Sequence, residues 1–208
     1  MYGIWLAGDR LLYSHTPLNT EDDLKKRIAV FLDRDGVLNR AIVCDGRPFA
    51  PASATEVEIL PGVPEGCAEL RRRGFVLVVV TNQPEVARGT LSREAVEEIH
   101  QHMQARIPLD DIRVCYHDDA DRCTCRKPNA GMLLSASRDW NIELTASFLI
   151  GDRWRDIEAG RRAGCRTVFI DRGYAEPRPQ AVDFSATSFS HAVDWVVAQS
   201  KVVSRFSE

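Results

Sequence analysis

The sequence predicts an α/β chain: a three-layer, Rossmann-like parallel sheet with helices on both faces. Two observations carry this. Five short apolar runs, mostly β-branched or aromatic, each stop abruptly at polar residues, as strands buried on both faces do. Longer segments of helical period lie between them, and alternating strands and helices build a parallel sheet covered on both sides.

The runs are IAVFL at 28–32, VLVVV at 76–80, IRVCY at 112–116, SFLI at 147–150 and TVFI at 167–170. Residues 61–73 open with Pro61 near a first helical turn and stop at Gly74, a good helix ending. Residues 92–107 have Ser92 as N-cap and an apolar face of Ala95, Val96, Ile99 and Met103. Shorter helices are expected over 131–140 and 153–163, and a last one over 191–199. Residues 1–27 end in the charged stretch EDDLKKR and read as an N-terminal extension. Residues 28–208 read as one domain, in line with a chain of 208 residues.

Composition excludes several function classes. Hydrophobic residues make up 44% and charged residues 27%, ordinary for a globular chain and far from disorder. The 27 basic against 30 acidic residues argue against a nucleic-acid or anionic-membrane binder. No apolar run approaches the ~18 residues needed to span a bilayer. The start, MYGIWLAGDR, lacks the basic flank and long apolar region of a secretory signal. The expectation is a soluble, cytoplasmic protein; the oligomeric state is left open, with a monomer favoured. Only four basic residues are lysines (Lys25, Lys26, Lys127 and Lys201), so a lysine inside a motif stands out.

In open parallel sheets the site lies beyond the carboxyl ends of the strands. After 28–32 come Asp33, Arg34, Asp35 and Gly36; after 76–80 come Thr81, Asn82 and Gln83; after 147–150 come Gly151 and Asp152, with Asp156 on the same helical face. One aspartate at a strand end is usually a cap or turn former; three such ends with matching polarity point to a site. Asp33, Asp35 and Asp152 would gather three carboxylates that stay ionised together only around a cation. All-oxygen ligation selects a hard ion, and Mg²⁺ is the usual one beside a phosphate. Asp156 either joins them or holds the loop by hydrogen bonding. Beside Mg²⁺, Asp33 suits a nucleophile that forms an aspartyl-phosphate, and Asp35 a general acid and then base. The Thr81 hydroxyl and Lys127 ammonium would hold phosphoryl oxygens.

The segments FLDRDGVLN, VTNQ, RKP and GDRWRD, in that order, resemble the four motifs of the haloacid dehalogenase superfamily of phosphatases, over roughly residues 28 to 175. A second constellation is Cys115, His117, Cys123 and Cys125. Three thiols and an imidazole make a complete tetrahedral Zn²⁺ set with no open position, so the zinc is expected to be structural. Two chance cysteine pairs or a disulfide are the bland alternatives. Cys125 directly precedes Arg126, Lys127 and Pro128, so a closed zinc loop would aim Lys127 at the phosphate and leave Arg126 for another part of the substrate.

This CxH…CxCRKP loop resembles the capless branch that contains D-glycero-D-manno-heptose 1,7-bisphosphate phosphatases and histidinol-phosphate phosphatases. That resemblance implies no large cap domain, a Mg²⁺-dependent phosphomonoesterase and substrate choice by short loops. VTNQPEVARG is similar to the heptose-type VTNQxxxARG, and KPNAGML to its KPxPGML. The short gap between His117 and Cys123 resembles the histidinol type, and Pro84, Glu85 and Val37 depart from the common pattern. The expected substrate is a sugar bisphosphate cleaved at C7, with Asn82, Arg88 and Arg126 binding it; the alternative is histidinol phosphate. Glu85, Asp118 and Asp119 pull toward an amine-bearing substrate if they face the site. A non-enzyme reading is a phospho-acceptor or a zinc-stabilised binding module, but Asp33, Asp35, Lys127 and Asp152 are all present. His100 and His102 sit two apart on a helix and cannot form an i, i+4 metal pair. Cys44, Cys67 and Cys165 read as small core or surface residues, and Arg71, Arg72 and Arg73 as a helix end favoured by the dipole.

Overall fold

The computed structural model describes residues 25–205, with side chains as far as Ser200. The expected extension over 1–27 lies outside the described residues for all but its last three. Backbone hydrogen bonds already tie Arg27 to Asn141 and Glu143.

Six strands form one parallel sheet: β1 (Ala29–Leu32), β4 (Val76–Asn82), β5 (Asp111–Cys115), β6 (Phe148–Gly151), β7 (Arg166–Ile170) and β8 (Phe184–Ala186), in the order β5-β4-β1-β6-β7-β8. The order reverses at β1, which is the topological switch point where such sheets carry their sites. Leu32 stands level with Val79 on one side and Ile150 on the other, so the segments after β1, β4 and β6 emerge side by side.

Alternation along β1 explains the two-sided burial. Val30 and Leu32 face one core with Leu77, Val79 and Ile150. That core is closed by α1 (Val63–Arg72), α2 (Arg93–Gln104) and α5 (Phe189–Arg205) through Leu70, Ile99 and Val193. Ala29 and Phe31 face the other core with Val78, Val80 and Leu149. That one is closed by α3 (Gly131–Trp140) and α4 (Trp154–Ala163) through Leu133, Ala136 and Ala159. Strands covered on both sides cannot show a polar face, and this is why they read as continuous apolar runs. Ser92 caps α2, its side chain accepting from Ala95 N at 3.1 Å.

Two features were absent from the sequence reading. β8 is a three-residue edge strand with one exposed position, too short for a periodic signal. The other is an antiparallel hairpin of β2 (Ile42–Cys44) and β3 (Arg47–Phe49) between β1 and α1. Its turn is Asp45-Gly46, both with positive φ (50° and 72°), as a two-residue type I′ turn requires. The Asp-Gly pair was the available signal. The last helix starts at Phe189 and runs to Arg205, longer than expected, because Phe189 is itself buried in the core. Cys67 and Cys165 are packing residues, as expected. Arg71, Arg72 and Arg73 pair with Asp110 and Glu69. No described helix is long and apolar enough to cross a membrane.

Candidate active site

The carboxyl edge of the sheet brings together what the sequence keeps far apart. Asp33 and Asp35 follow β1, Thr81 and Asn82 end β4 with Gln83 next, and Asp152 follows β6, with Asp156 in the first turn of α4. Lys127 reaches in from the loop after β5. Its Nζ lies 2.8 Å from Asp33 Oδ1, 2.6 Å from Asp156 Oδ1 and 2.7 Å from the Val80 carbonyl, which accepts from it. Burial alone would push this ammonium down, yet Asp156 and Asp33 beside it hold it above the ordinary lysine value. Burial, with Asp156 nearby, lifts the Asp33 carboxyl to about 6. Burial and the charges of Asp33 and Asp156 raise Asp152 well above the usual carboxylate range.

Oxygens of Asp33, Asp152 and Asp156 all lie within 4.8 Å of one another. The expected third carboxylate, Asp35, is not in this group; Asp156 is there instead. Asp156 also accepts from the Arg153 backbone N at 2.9 Å, so it both holds the loop and faces the cluster. Tyr174 donates to Asp152 Oδ2 at 2.8 Å, while the buried Asp152 Oδ1 has no protein partner among the described residues. Three oxygen donors and one orphaned buried carboxylate oxygen fit a hard divalent cation. Gly36 makes room for this geometry: with φ +89°, a Cβ there would sit 1.7 Å from Asp152 Oδ2.

Asp35 is held apart by three side chains. Arg34 donates from Nε at 3.1 Å and from Nη2 at 2.8 Å to Oδ2, Gln83 Nε2 donates to Oδ2 at 2.9 Å, and Asn39 Nδ2 donates to Oδ1 at 3.0 Å. Gln83 Nε2 also donates to Thr81 Oγ1 at 2.8 Å. The Thr81 oxygen therefore accepts, and its own hydrogen is left to donate. Asn82, expected to bind substrate, has its amide committed to the Lys127 backbone, donating to O at 3.1 Å and accepting from N at 3.0 Å.

The four soft donors converge as well. The Sγ atoms of Cys115, Cys123 and Cys125 are 3.3–3.7 Å apart, and His117 Nδ1 lies 3.6 Å and 3.3 Å from those of Cys115 and Cys125. These are too long for disulfides, whose S–S bond is ~2.05 Å. A zinc tetrahedron with Zn–S ~2.3 Å and Zn–N ~2.05 Å has edges of about 3.75 and 3.55 Å, close to those seen. The loop packs on the start of α3, where a Cβ at Gly131 would meet the Thr124 carbonyl at 2.3 Å.

Above this floor opens a cavity of about 490 Å³. Asp33, Asp35, Thr81 and Lys127 line its base, and Arg47, Arg88, Arg126, Arg153 and Arg155 its walls. Arg88 is paired bidentately with Asp118 at 2.8 Å, and Arg126 Nε with Asp119 at 2.8 Å; Arg155 also reaches Asp119. Arg88 holds the Asp118 carboxyl down at about 2. Both acidic residues are thus paired with arginines, while Asp119 and Glu85 also line the cavity. The sequence reading placed Gln83 at a strand end and Asn39 inside FLDRDGVLN without giving either a role, and it missed Tyr174 and the hairpin residues Arg47 and Phe49, of which only the Asp-Gly turn beside Arg47 left a local signal.

Residues 124–198 match the HAD-hydrolase-like family model. The D-glycero-beta-D-manno-heptose-1,7-bisphosphate 7-phosphatases of Yersinia pestis and Escherichia coli K12 are each 34% identical over 181 residues, covering 81% of this chain and 89% and 87% of theirs. The chain belongs to the heptose-bisphosphate phosphatase family of haloacid dehalogenase-like hydrolases. Among solved structures, the D,D-heptose 1,7-bisphosphate phosphatase of B. bronchiseptica, complexed with magnesium and phosphate, superposes with a TM-score of 0.70 at 27% identity, covering 83% of this chain and 99% of that one. The chain is a phosphatase of this family, with a six-stranded parallel sheet and a β2–β3 hairpin between β1 and α1.

Proposed function

We propose that this phosphatase removes the C7 phosphate of D-glycero-D-manno-heptose 1,7-bisphosphate, with Asp33 as nucleophile. The observation that carries this is one cavity whose floor presents Asp33, Asp35, Thr81 and Lys127 and whose walls carry arginines. Asp33 attacks phosphorus in line and displaces the sugar alkoxide, which takes its proton from Asp35. Asp35 then accepts a proton from water as that water hydrolyses the aspartyl-phosphate, releasing phosphate and restoring Asp33. Lys127 and the Thr81 hydroxyl donate to the phosphoryl oxygens where charge develops. Magnesium, held by Asp33, Asp152 and Asp156, would supply charge neutralisation beside the phosphate. Zinc, held by Cys115, His117, Cys123 and Cys125, would close the loop that carries Arg126 and Lys127. Asn82 serves by clamping the Lys127 backbone, and Arg88 and Arg126 frame the entrance for the distal phosphate.

The test is a substrate panel with both heptose bisphosphate anomers, histidinol phosphate and a simple monophosphate. The bisphosphate is expected to have the highest kcat/KM, and Asp33→Asn to abolish turnover while the protein stays folded. A higher kcat/KM for histidinol phosphate would overturn the substrate. Turnover by Asp33→Asn at the wild-type rate would overturn the nucleophile.

A further inference from the structure

We propose that His100 is a positioning residue for Asp35, acting through the buried Arg34; this rests on the reading of Asp35 as the general acid and base. His100 lies on α2, behind the site, and is only 3% exposed. Arg34 is fully buried. Its guanidinium spends one edge on Asp35, through Nε and Nη2. From Nη1 it makes a 3.1 Å contact with His100 Nε2.

The direction of that contact is fixed by chemistry. A guanidinium has five N–H donors and no acceptor. His100 Nε2 must therefore offer its lone pair, which makes the ring neutral with its proton on Nδ1, the nitrogen facing Glu97 at 3.8 Å. A buried guanidinium N–H without an acceptor is strongly disfavoured, so the imidazole sets where the guanidinium plane lies. The same plane sets where the Asp35 carboxylate points, since two of its three side-chain holders act on Oδ2 and one of them is Arg34.

Asp35 has to address two oxygens in turn, the departing alcohol and the attacking water. A misplacement of about 1 Å in such a group costs on the order of 10²-fold. Asn39 and Gln83 would still hold the carboxylate if His100 were lost, so the effect is smaller than losing Asp35 itself.

The experiment compares leaving groups. An alkyl phosphate needs a proton on its departing oxygen, whereas p-nitrophenolate leaves as a stable anion. kcat/KM reports only as far as leaving-group departure. His100→Leu is expected to lower kcat/KM for an alkyl phosphomonoester by roughly tenfold or more, and for p-nitrophenyl phosphate by less than about threefold. His100→Gln, whose Oε1 can accept from Nη1, is expected to stay within about threefold of wild type on both. Should His100→Leu not fold, His100→Asn, whose shorter amide stops short of Nη1, carries the same comparison.

Equal losses on the two substrates, or none on either, would overturn the positioning role. Asp35→Asn run in parallel separates the two readings. If it discriminates between leaving groups and the His100 variants do not, only the His100 inference falls. If Asp35→Asn itself does not discriminate, the assignment of Asp35 falls and takes the inference with it.

Discussion

Replacing Lys127 with methionine keeps most of the side-chain stem and deletes the charge, and it tests the electrostatic design of the site. The ammonium lies 2.8 Å from Asp33 and 2.6 Å from Asp156, with the Val80 carbonyl taking a third N–H. At an effective dielectric of about 20, each contact is worth about 6 kcal/mol of attraction. Burying the ions costs several kcal/mol each, so most of that attraction is offset. Removing one partner leaves the cost without the gain, and breaking buried pairs typically costs about 3–5 kcal/mol. Lys127→Met is therefore expected to lose about that much stability at pH 7 in magnesium-free buffer, read from urea unfolding.

The loss should shrink toward pH 5. Burial and Asp156 raise Asp33 to about 6 even with Lys127 opposing them, so the folded variant, without that ammonium, takes up this proton earlier still as pH falls. Protonation relieves the repulsion among carboxylates that the substitution exposes. Asp156→Asn in the same chain should recover part of the stability, as expected for residues in contact. Saturating magnesium should restore about 2.7 kcal/mol at 100 times its dissociation constant. A loss under about 1 kcal/mol, or one identical at pH 5 and pH 7, would refute this account of Lys127 with Asp33 and Asp156.

Two further outcomes are expected. Elemental analysis should find one zinc per chain, and Cys123→Ser should lose it together with roughly tenfold or more of activity, because the loop that carries Lys127 and Arg126 is then untied; full activity without zinc would remove its role. Burial and the adjacent Arg34 hold the His100 imidazole at about 4, below its ordinary 6.5, so the unfolded chain binds the extra proton first. Stability associated with a neutral His100 is present above pH 6.5 and lost as pH falls toward 4, by about 3 kcal/mol in all. Unfolding of wild type against His100→Gln across that window measures it, and parallel pH profiles would contradict it.

The central strands and the cluster of three cysteines and a histidine were legible in the linear chain because each is a local pattern. A strand buried on two faces has to be apolar throughout, and Cys115, His117, Cys123 and Cys125 lie within one loop. Asp33, Thr81 and Asp152 followed from the rule that strand ends gather at one edge, and Lys127 stood out as a rare lysine in the segment after the cysteine loop. What lay beyond reach depends on side-chain direction and on distant partners. Asp35, two residues after Asp33, turns to Arg34, Asn39 and Gln83, and Asp156 takes the place expected for it in the carboxylate cluster. His100, on a helix that reads as ordinary core packing, meets Arg34 across 66 positions of sequence. Asp118 and Asp119 look like unpaired acids in one dimension, and only the folded structure shows that they pair with Arg88 and Arg126. Composition and periodicity settle which residues are buried and which stand at strand ends. Charge pairing and hydrogen-bond direction act over a few ångströms between elements far apart in the chain, so the folded structure alone decides them.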